Sequence, residues 1–243
     1  MWPLLRSALL DAWAVLAPTE CSGCGRPDRA LCDDCRAGLD TAVPVREALR
    51  RDDGSELPLW WALEYAGAAR SILLAFKDGG RTDAGAGLAV PLRRTVRSAL
   101  AAAPSVARGR VELAAIPSAR VAYRRRGYAP VRVLLARAGY RDNGLLRPTR
   151  ASRDQAGLGL SARFENRRDS LAVRGDCAGR TLLIVDDIVT TGATVLEADR
   201  AFRAAGGRVL GVVALSRTKR ALTSQETPGQ PGEMTRDKSG GGG

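Results

Sequence analysis

The sequence predicts an α/β domain built on a parallel β-sheet, preceded by a small module organised by four cysteines. Three observations carry that expectation. Residues 181–185 and 209–215 are unbroken aliphatic runs on either side of a helical stretch at about 193–205, a strand–helix–strand unit in about 35 residues. Runs that are apolar at every position suit strands buried on both faces, as parallel sheets require. Four of the five cysteines fall within residues 21–35. The chain of 243 residues, 45% apolar, is long enough for one full domain and a smaller module.

The opening residues 1–18 are apolar but interrupted by Arg6 and Asp11. They read as an amphipathic helix and not as a signal peptide. No run approaches the roughly 18 apolar residues of a membrane-spanning helix, so a cytoplasmic location is expected. The cysteines follow as Cys21-Ser-Gly-Cys24 and Cys32-Asp-Asp-Cys35. Each C-x-x-C turn lets two thiolates converge on one ion, and four soft ligands in tetrahedral array suit zinc. A closed four-thiolate site leaves no open position, so its role is to fold the module. A disulfide framework and a thioredoxin-like pair are the competing readings, set back by the absence of a secretion signal and of a preceding strand. Cys177 reads as an isolated core or loop thiol.

Residues 36–58 are polar and rich in Arg, Asp and Pro, and mark the module boundary. The expected units are 1–58 (N-terminal helix and zinc module), 59–220 (main domain) and 221–243 (a disordered tail of Thr, Ser, Gln, Pro and Gly). Within the main domain a strand is expected at 60–65, a helix at about 68–76, a turn at 77–81, a helix at 91–102 opened by Pro91, a strand at 111–116 and a helix at 130–138.

Composition limits the chemistry. The chain has no histidine, which excludes imidazole acid–base catalysis, His-activated nucleophiles and imidazole metal sites. Lys and Arg total 38 against 26 acidic residues, a net charge of +12, which favours anionic partners such as phosphorylated metabolites or nucleic acid.

The 181–185 run ends on Asp186-Asp187-Ile-Val-Thr190-Thr191-Gly192-Ala193-Thr194. On parallel sheets, ligands bind at the carboxyl ends of strands. Thr190, Thr191, Gly192, Ala193 and Thr194 make the turn into a helix, where backbone amides and the positive end of the helix dipole favour a phosphate. Glycine at 192 removes a side chain where that phosphate would approach. Asp186 and Asp187 cannot face the same phosphate; they suit hydroxyl donors on the same ligand or a hydrated Mg2+. The implied ligand is a ribose 5-phosphate. An ordinary capped strand end competes with this reading. A phosphorelay receiver domain does not, because only 56 residues follow Asp187 where roughly 100 are needed.

The segment 183–194 resembles the phosphoribosyl-pyrophosphate (PRPP) motif of type I phosphoribosyltransferases (PRTases). Residues 1–217 as a whole resemble the ComF family, a branch linked to competence and DNA uptake. The shared features are the four-cysteine module, Ile116-Pro117-Ser118, Tyr123-Arg-Arg-Arg-Gly-Tyr128, and a block at 147–166 with Gln155, Arg163 and Asn166. The resemblance implies a parallel-sheet, type I PRTase-like fold, a structural zinc ion, and PRPP with Mg2+ as ligand. It implies Asp186 and Asp187 as ribose-hydroxyl partners in catalysis, a 5-phosphate cradle at Thr190, Thr191, Gly192, Ala193 and Thr194, and pyrophosphate-loop amides at Ser118 and Ala119.

Arg124, Arg125 and Arg126 are candidates to neutralise pyrophosphate, with a solvated loop as the alternative. Lys77 is a candidate to reach the phosphates, with a surface lysine as the alternative. Ala129-Pro130 stands where the family commonly has Asn-Gln, which removes two amide side chains from any base or pyrophosphate contact. Three functions follow: phosphoribosyl transfer to an unidentified acceptor, a non-catalytic PRPP-binding accessory of DNA uptake that uses its basic surface with single-stranded DNA or the competence machinery, or use of PRPP without a base.

Overall fold

Among the described residues, seven strands and six helices follow from where the continuous aliphatic runs pair. The computed structural model describes residues 20–27, 29–103, 111–149 and 169–218. The expected helix at 1–18, the tail 221–243, and Gln155, Arg163 and Asn166 lie outside the described residues. In chain order the elements are α1 (Asp33–Asp40), β1 (Val45–Arg50), β2 (Glu56–Glu64), α2 (Gly67–Lys77), a 3-10 turn (Thr82–Ala84), α3 (Gly85–Ala101), β3 (Val111–Ala115), α4 (Arg120–Arg126), α5 (Pro130–Arg137), β4 (Leu146–Pro148), β5 (Leu171–Val173), β6 (Thr181–Val189), α6 (Ala193–Ala204) and β7 (Arg208–Arg217).

The main sheet has the order β1-β2-β7-β6-β3. β1 runs antiparallel to β2, and every other neighbour pair is parallel. Alternate residues of the central strands feed two cores. Trp60, Leu63, Leu183, Val185, Val213 and Leu215 face α2, α3, α5 and the cysteine module. Leu57, Leu59, Leu182, Ile184, Val212 and Ala214 face α6, through Val195, Ala198 and Phe202. Each such buried side chain contributes about 1.5–3 kcal/mol, whereas an exposed ion pair contributes roughly 0–1 kcal/mol. The aliphatic runs, more than the many Arg–carboxylate pairs, hold the sheet.

The cysteine module is packed onto this core. Cys21, Leu31, Cys32 and Leu39 are buried with Leu88 and Ile72. At Gly87 a Cβ would stand 2.7 Å from Leu31 and 3.1 Å from Leu39, so glycine is what lets α3 meet the module closely.

Four local expectations change. Residues 36–58, read as a polar boundary, supply β1 and the start of β2, which belong to the main sheet. The helix expected to open at Pro91 begins at Gly85, with Pro91 buried in its interior. The proline costs about 3 kcal/mol in a helix interior, and burial of Leu88, Ala89, Leu92 and Val96 along the same helix outweighs it. The triple arginine forms the helix α4 and not an open loop. Finally, β6 does not stop at the aspartates: it continues through Asp186 and Asp187 to Val189, because β7 extends beside it as far as Arg217. No helix among the described residues is long and apolar enough to cross a membrane.

Candidate functional site

Parallel pairing brings the carboxyl ends of β3, β6 and β7 to one edge, and the candidate residues collect there. β6 delivers the two carboxylates. Asp186 is half-buried and Asp187 is buried. Lys77, at the end of α2, donates from Nζ to Asp187 Oδ1 at 2.9 Å and lies 2.8 Å from Oδ2. Burial works against the lysine's charge, and the two carboxylates outweigh it, so Lys77 is held above its ordinary range. Asp186 accepts the Asp187 amide at 2.8 Å. Desolvation, and then the neighbouring Asp187 charge, push its carboxyl well above the usual carboxylate range. An acid pair with one cation leaves Asp186 as the carboxylate that a hydroxyl donor or a cation would relieve.

Beyond the carboxylates the chain turns into α6. Asp186, Ile188, Val189, Thr190, Thr191, Gly192, Ala193, Thr194 and Val195 line an open concavity. The opening amides of a helix have no carbonyl within the helix, so this end favours an oxyanion. Gly192 caps α6 at φ +87°, a left-handed conformation that costs other residues about 1–2 kcal/mol. A Cβ there would stand 3.1 Å from both methyl groups of Leu49 on β1. The sequence suggests a glycine kept small for a phosphate; the structure gives it a backbone reason and a packing reason. Gly192→Ala is expected to lower stability by about 1–2 kcal/mol in a urea titration, because it meets both.

Two residues absent from the sequence reading fasten this turn. Arg217 donates to the carbonyls of Val189, at 3.3 Å, and of Thr190, and its Nε donates to Glu47 Oε1 at 2.5 Å. The hairpin strand β1 therefore supports the cup from below, through Leu49, and from the side, through Glu47.

Ser118 and Ala119 lie in the link after β3, where the Ile116 amide donates to Val185 Oat 2.9 Å, next to Asp186. Arg125 and Arg126 both reach Asp78 Oδ1, at 2.8 and 3.1 Å. The Tyr128 hydroxyl donates to the Phe76 carbonyl, tying the α4–α5 link to the end of α2. Arg124 is exposed. Thus Lys77, Asp186, Asp187 and the 190–194 turn share one edge, with Arg125 and Arg126 joined to it through Asp78.

The other cluster is the cysteine module. The Sγ atoms of Cys21, Cys24, Cys32 and Cys35 all lie within 4.8 Å of one another. Cys24 and Cys32 Sγ are 3.7 Å apart, against about 3.8 Å for tetrahedral ligands at a Zn–S distance of about 2.3 Å. The amides of Cys32 and Gly23 donate to Cys21 Sγ at 3.3 and 3.4 Å. Burial opposes charge on Cys21, yet these amides and that of Cys24 bring its thiol down to about 6. The donor set fits a zinc ion. Cys177 is buried elsewhere, in the core under α6.

Residues 105–227, 123 of the 243, match the family described as "Phosphoribosyl transferase domain". The chain is also 43% identical over 76 residues to an orotate phosphoribosyltransferase of Pyrobaculum aerophilum, covering 31% of this chain and 34% of that protein. It therefore spans about a third of the length of that relative. Two solved structures are similar at lower identity. One is the Leishmania donovani UMP synthase, with TM-score 0.32, 15% identity, 76% of this chain and 31% of that one. The other is the orotate phosphoribosyltransferase of Mycobacterium tuberculosis H37Rv in complex with Fe(III) dicitrate, with TM-score 0.31, 17% identity, 76% of this chain and 82% of that one.

Proposed function

Because this chain belongs to the phosphoribosyl transferase domain family, we propose that it binds PRPP with Mg2+ and transfers the phosphoribosyl group to a nitrogen nucleophile. One observation carries the reading: a half-buried and a buried carboxylate stand on the same strand-to-helix link as a cup lined by residues 188–195. A cup at the start of a helix suits a phosphate, and the carboxylates suit the hydroxyls of the sugar that bears it.

In this reading the turn at Thr190, Thr191, Gly192, Ala193 and Thr194 fixes the 5-phosphate, and Asp186 and Asp187 accept from the ribose hydroxyls. The ring is then held for displacement at C1, through a transition state with positive charge on the sugar. Two fixed carboxylates near the ribose favour that charge without moving, the kind of preorganisation that lowers barriers most. The rest is positioning. Lys77, Arg125, Arg126 and the link at Ser118 and Ala119 form the cationic and amide side that receives departing pyrophosphate. Asp186 and Asp187 are oxygen donors suited to hold a hydrated Mg2+, which when bound offsets the pyrophosphate charge. No step calls for an imidazole, in keeping with a chain that has none.

The net charge of +12 supports a second reading, a ComF-type accessory protein of DNA uptake that binds PRPP without transferring it. Pyrophosphate release in the presence of PRPP, Mg2+ and a panel of bases, with orotate among them, separates the two. Transfer predicts acceptor-dependent release above the rate without base. Binding with no release for any base supports the accessory role. The zinc ion of the cysteine module has a folding role in both.

A further inference from the structure

The cations of the proposed site are already engaged by carboxylates of the chain itself. Lys77 is engaged by Asp187 at 2.8 Å, and both arginines are engaged by a single oxygen, Asp78 Oδ1. Asp78 is not a buried structural acid: its side chain is 40% exposed, and that of Arg125 is 67% exposed. Arg126 differs, with a side chain only 11% exposed and a buried Nε that has no hydrogen-bond partner among the described residues. Its guanidinium thus keeps a donor unused beside Lys77, whose charge it opposes, and a buried donor left unmade is costly.

Resting on the PRPP reading of this site, we propose that Asp78 is a positioning residue that acts as a stand-in anion. It holds Arg125 and Arg126 on the α2 side until an incoming pyrophosphate or PRPP oxyanion replaces its carboxylate. The exchange replaces a single carboxylate charge by a polyanion, and a pyrophosphate group has oxygens enough for both arginines, where one Asp78 oxygen serves two guanidinium groups. The carboxylate therefore keeps the cations ordered and competes with the ligand. An exposed carboxylate–arginine contact contributes little to folding, so its removal should be felt in anion affinity more than in stability.

The test is a calorimetric titration of inorganic pyrophosphate, in Mg2+-free buffer, into the full chain as wild type, Asp78→Asn, Asp78→Glu and Asp78→Asn/Arg126→Gln. Asp78→Asn is expected to bind pyrophosphate about three- to tenfold more tightly than wild type. Asp78→Glu should restore the wild-type affinity, and the double variant should lose the gain. Weaker or equal binding in Asp78→Asn overturns the proposal. So does a gain that survives Arg126→Gln. Asp78→Ser replaces Asp78→Asn if the latter fails to fold. A parallel titration of wild type with PRPP and Mg2+ keeps the two readings apart: binding there, with no gain in Asp78→Asn, rejects the role of Asp78 alone, whereas no binding of either ligand by any variant rejects both.

Discussion

An Asp187→Asn protein is expected to bind PRPP about 10- to 100-fold more weakly than wild type, since a hydrogen bond to a charged group is worth about 1.5–3 kcal/mol. The sign matters more than the size. If the carboxylates merely stood near the ligand, removing a negative charge would tighten the binding of a polyanion. If they accept from ribose hydroxyls, the loss of an acceptor weakens it. The substitution also removes the carboxylate paired with Lys77, whose side chain is 27% exposed. A folding cost of roughly 1–3 kcal/mol is expected for that reason. Calorimetric affinity and a urea melt on the same protein separate the two effects: weaker binding by a folded variant is the expected result, and tighter binding contradicts the hydroxyl-acceptor role.

Loss of a cysteine ligand should produce the largest change in stability. Cys32 is buried in the core that joins the module to α3 and α2, and its amide also supports Cys21 Sγ. Zinc bound by four thiolates supplies folding free energy to the segment that carries them. Cys32→Ser breaks that site and loosens Leu31 and Leu39 from Leu88 and Gly87. A loss of about 3 kcal/mol would lower the melting temperature by roughly 6–12 °C for a chain of this size. Metal analysis should find one zinc per wild-type chain and none retained by the variant. A wild-type protein that folds normally with no zinc contradicts the assignment.

The central sheet was legible because β6 and β7 are apolar at nearly every position, and only a strand covered on both faces needs that. The β1–β2 hairpin was hidden by chemistry that is usual at an edge. β1 exposes Arg46 and Arg50 and buries only Leu49, and Pro58, which reads as a breaker, sits in β2 opposite Ala48. The signal that could have found it is Asp52-Asp53-Gly54-Ser55, a turn closed by Asp53 Oδ1 accepting the Ser55 amide at 2.9 Å, with Gly54 at φ +80°.

The site divides in the same way. The link 186–194 could be read because its acids, threonines and glycine are contiguous. Its supporting pairs could not, because their members lie far apart along the chain: Lys77, itself a sequence candidate, lies 110 residues before its partner Asp187, and Glu47 lies 170 before Arg217. Local patterning carries no information about such pairs; the parallel pairing of β2, β7 and β6 creates them. Gly192 shows a partial success, since the residue was singled out for ligand approach while its φ and its contact with Leu49 supply the structural requirement.

The most direct measurement is calorimetric titration of the folded, zinc-loaded wild-type chain with PRPP, with and without Mg2+. Saturable binding in the millimolar range or tighter, strengthened by Mg2+ and lost on addition of excess ribose 5-phosphate, is the predicted result. A normally folded protein that evolves no heat of binding with PRPP and Mg2+ together would contradict the assignment of the 186–194 link as a sugar-phosphate site.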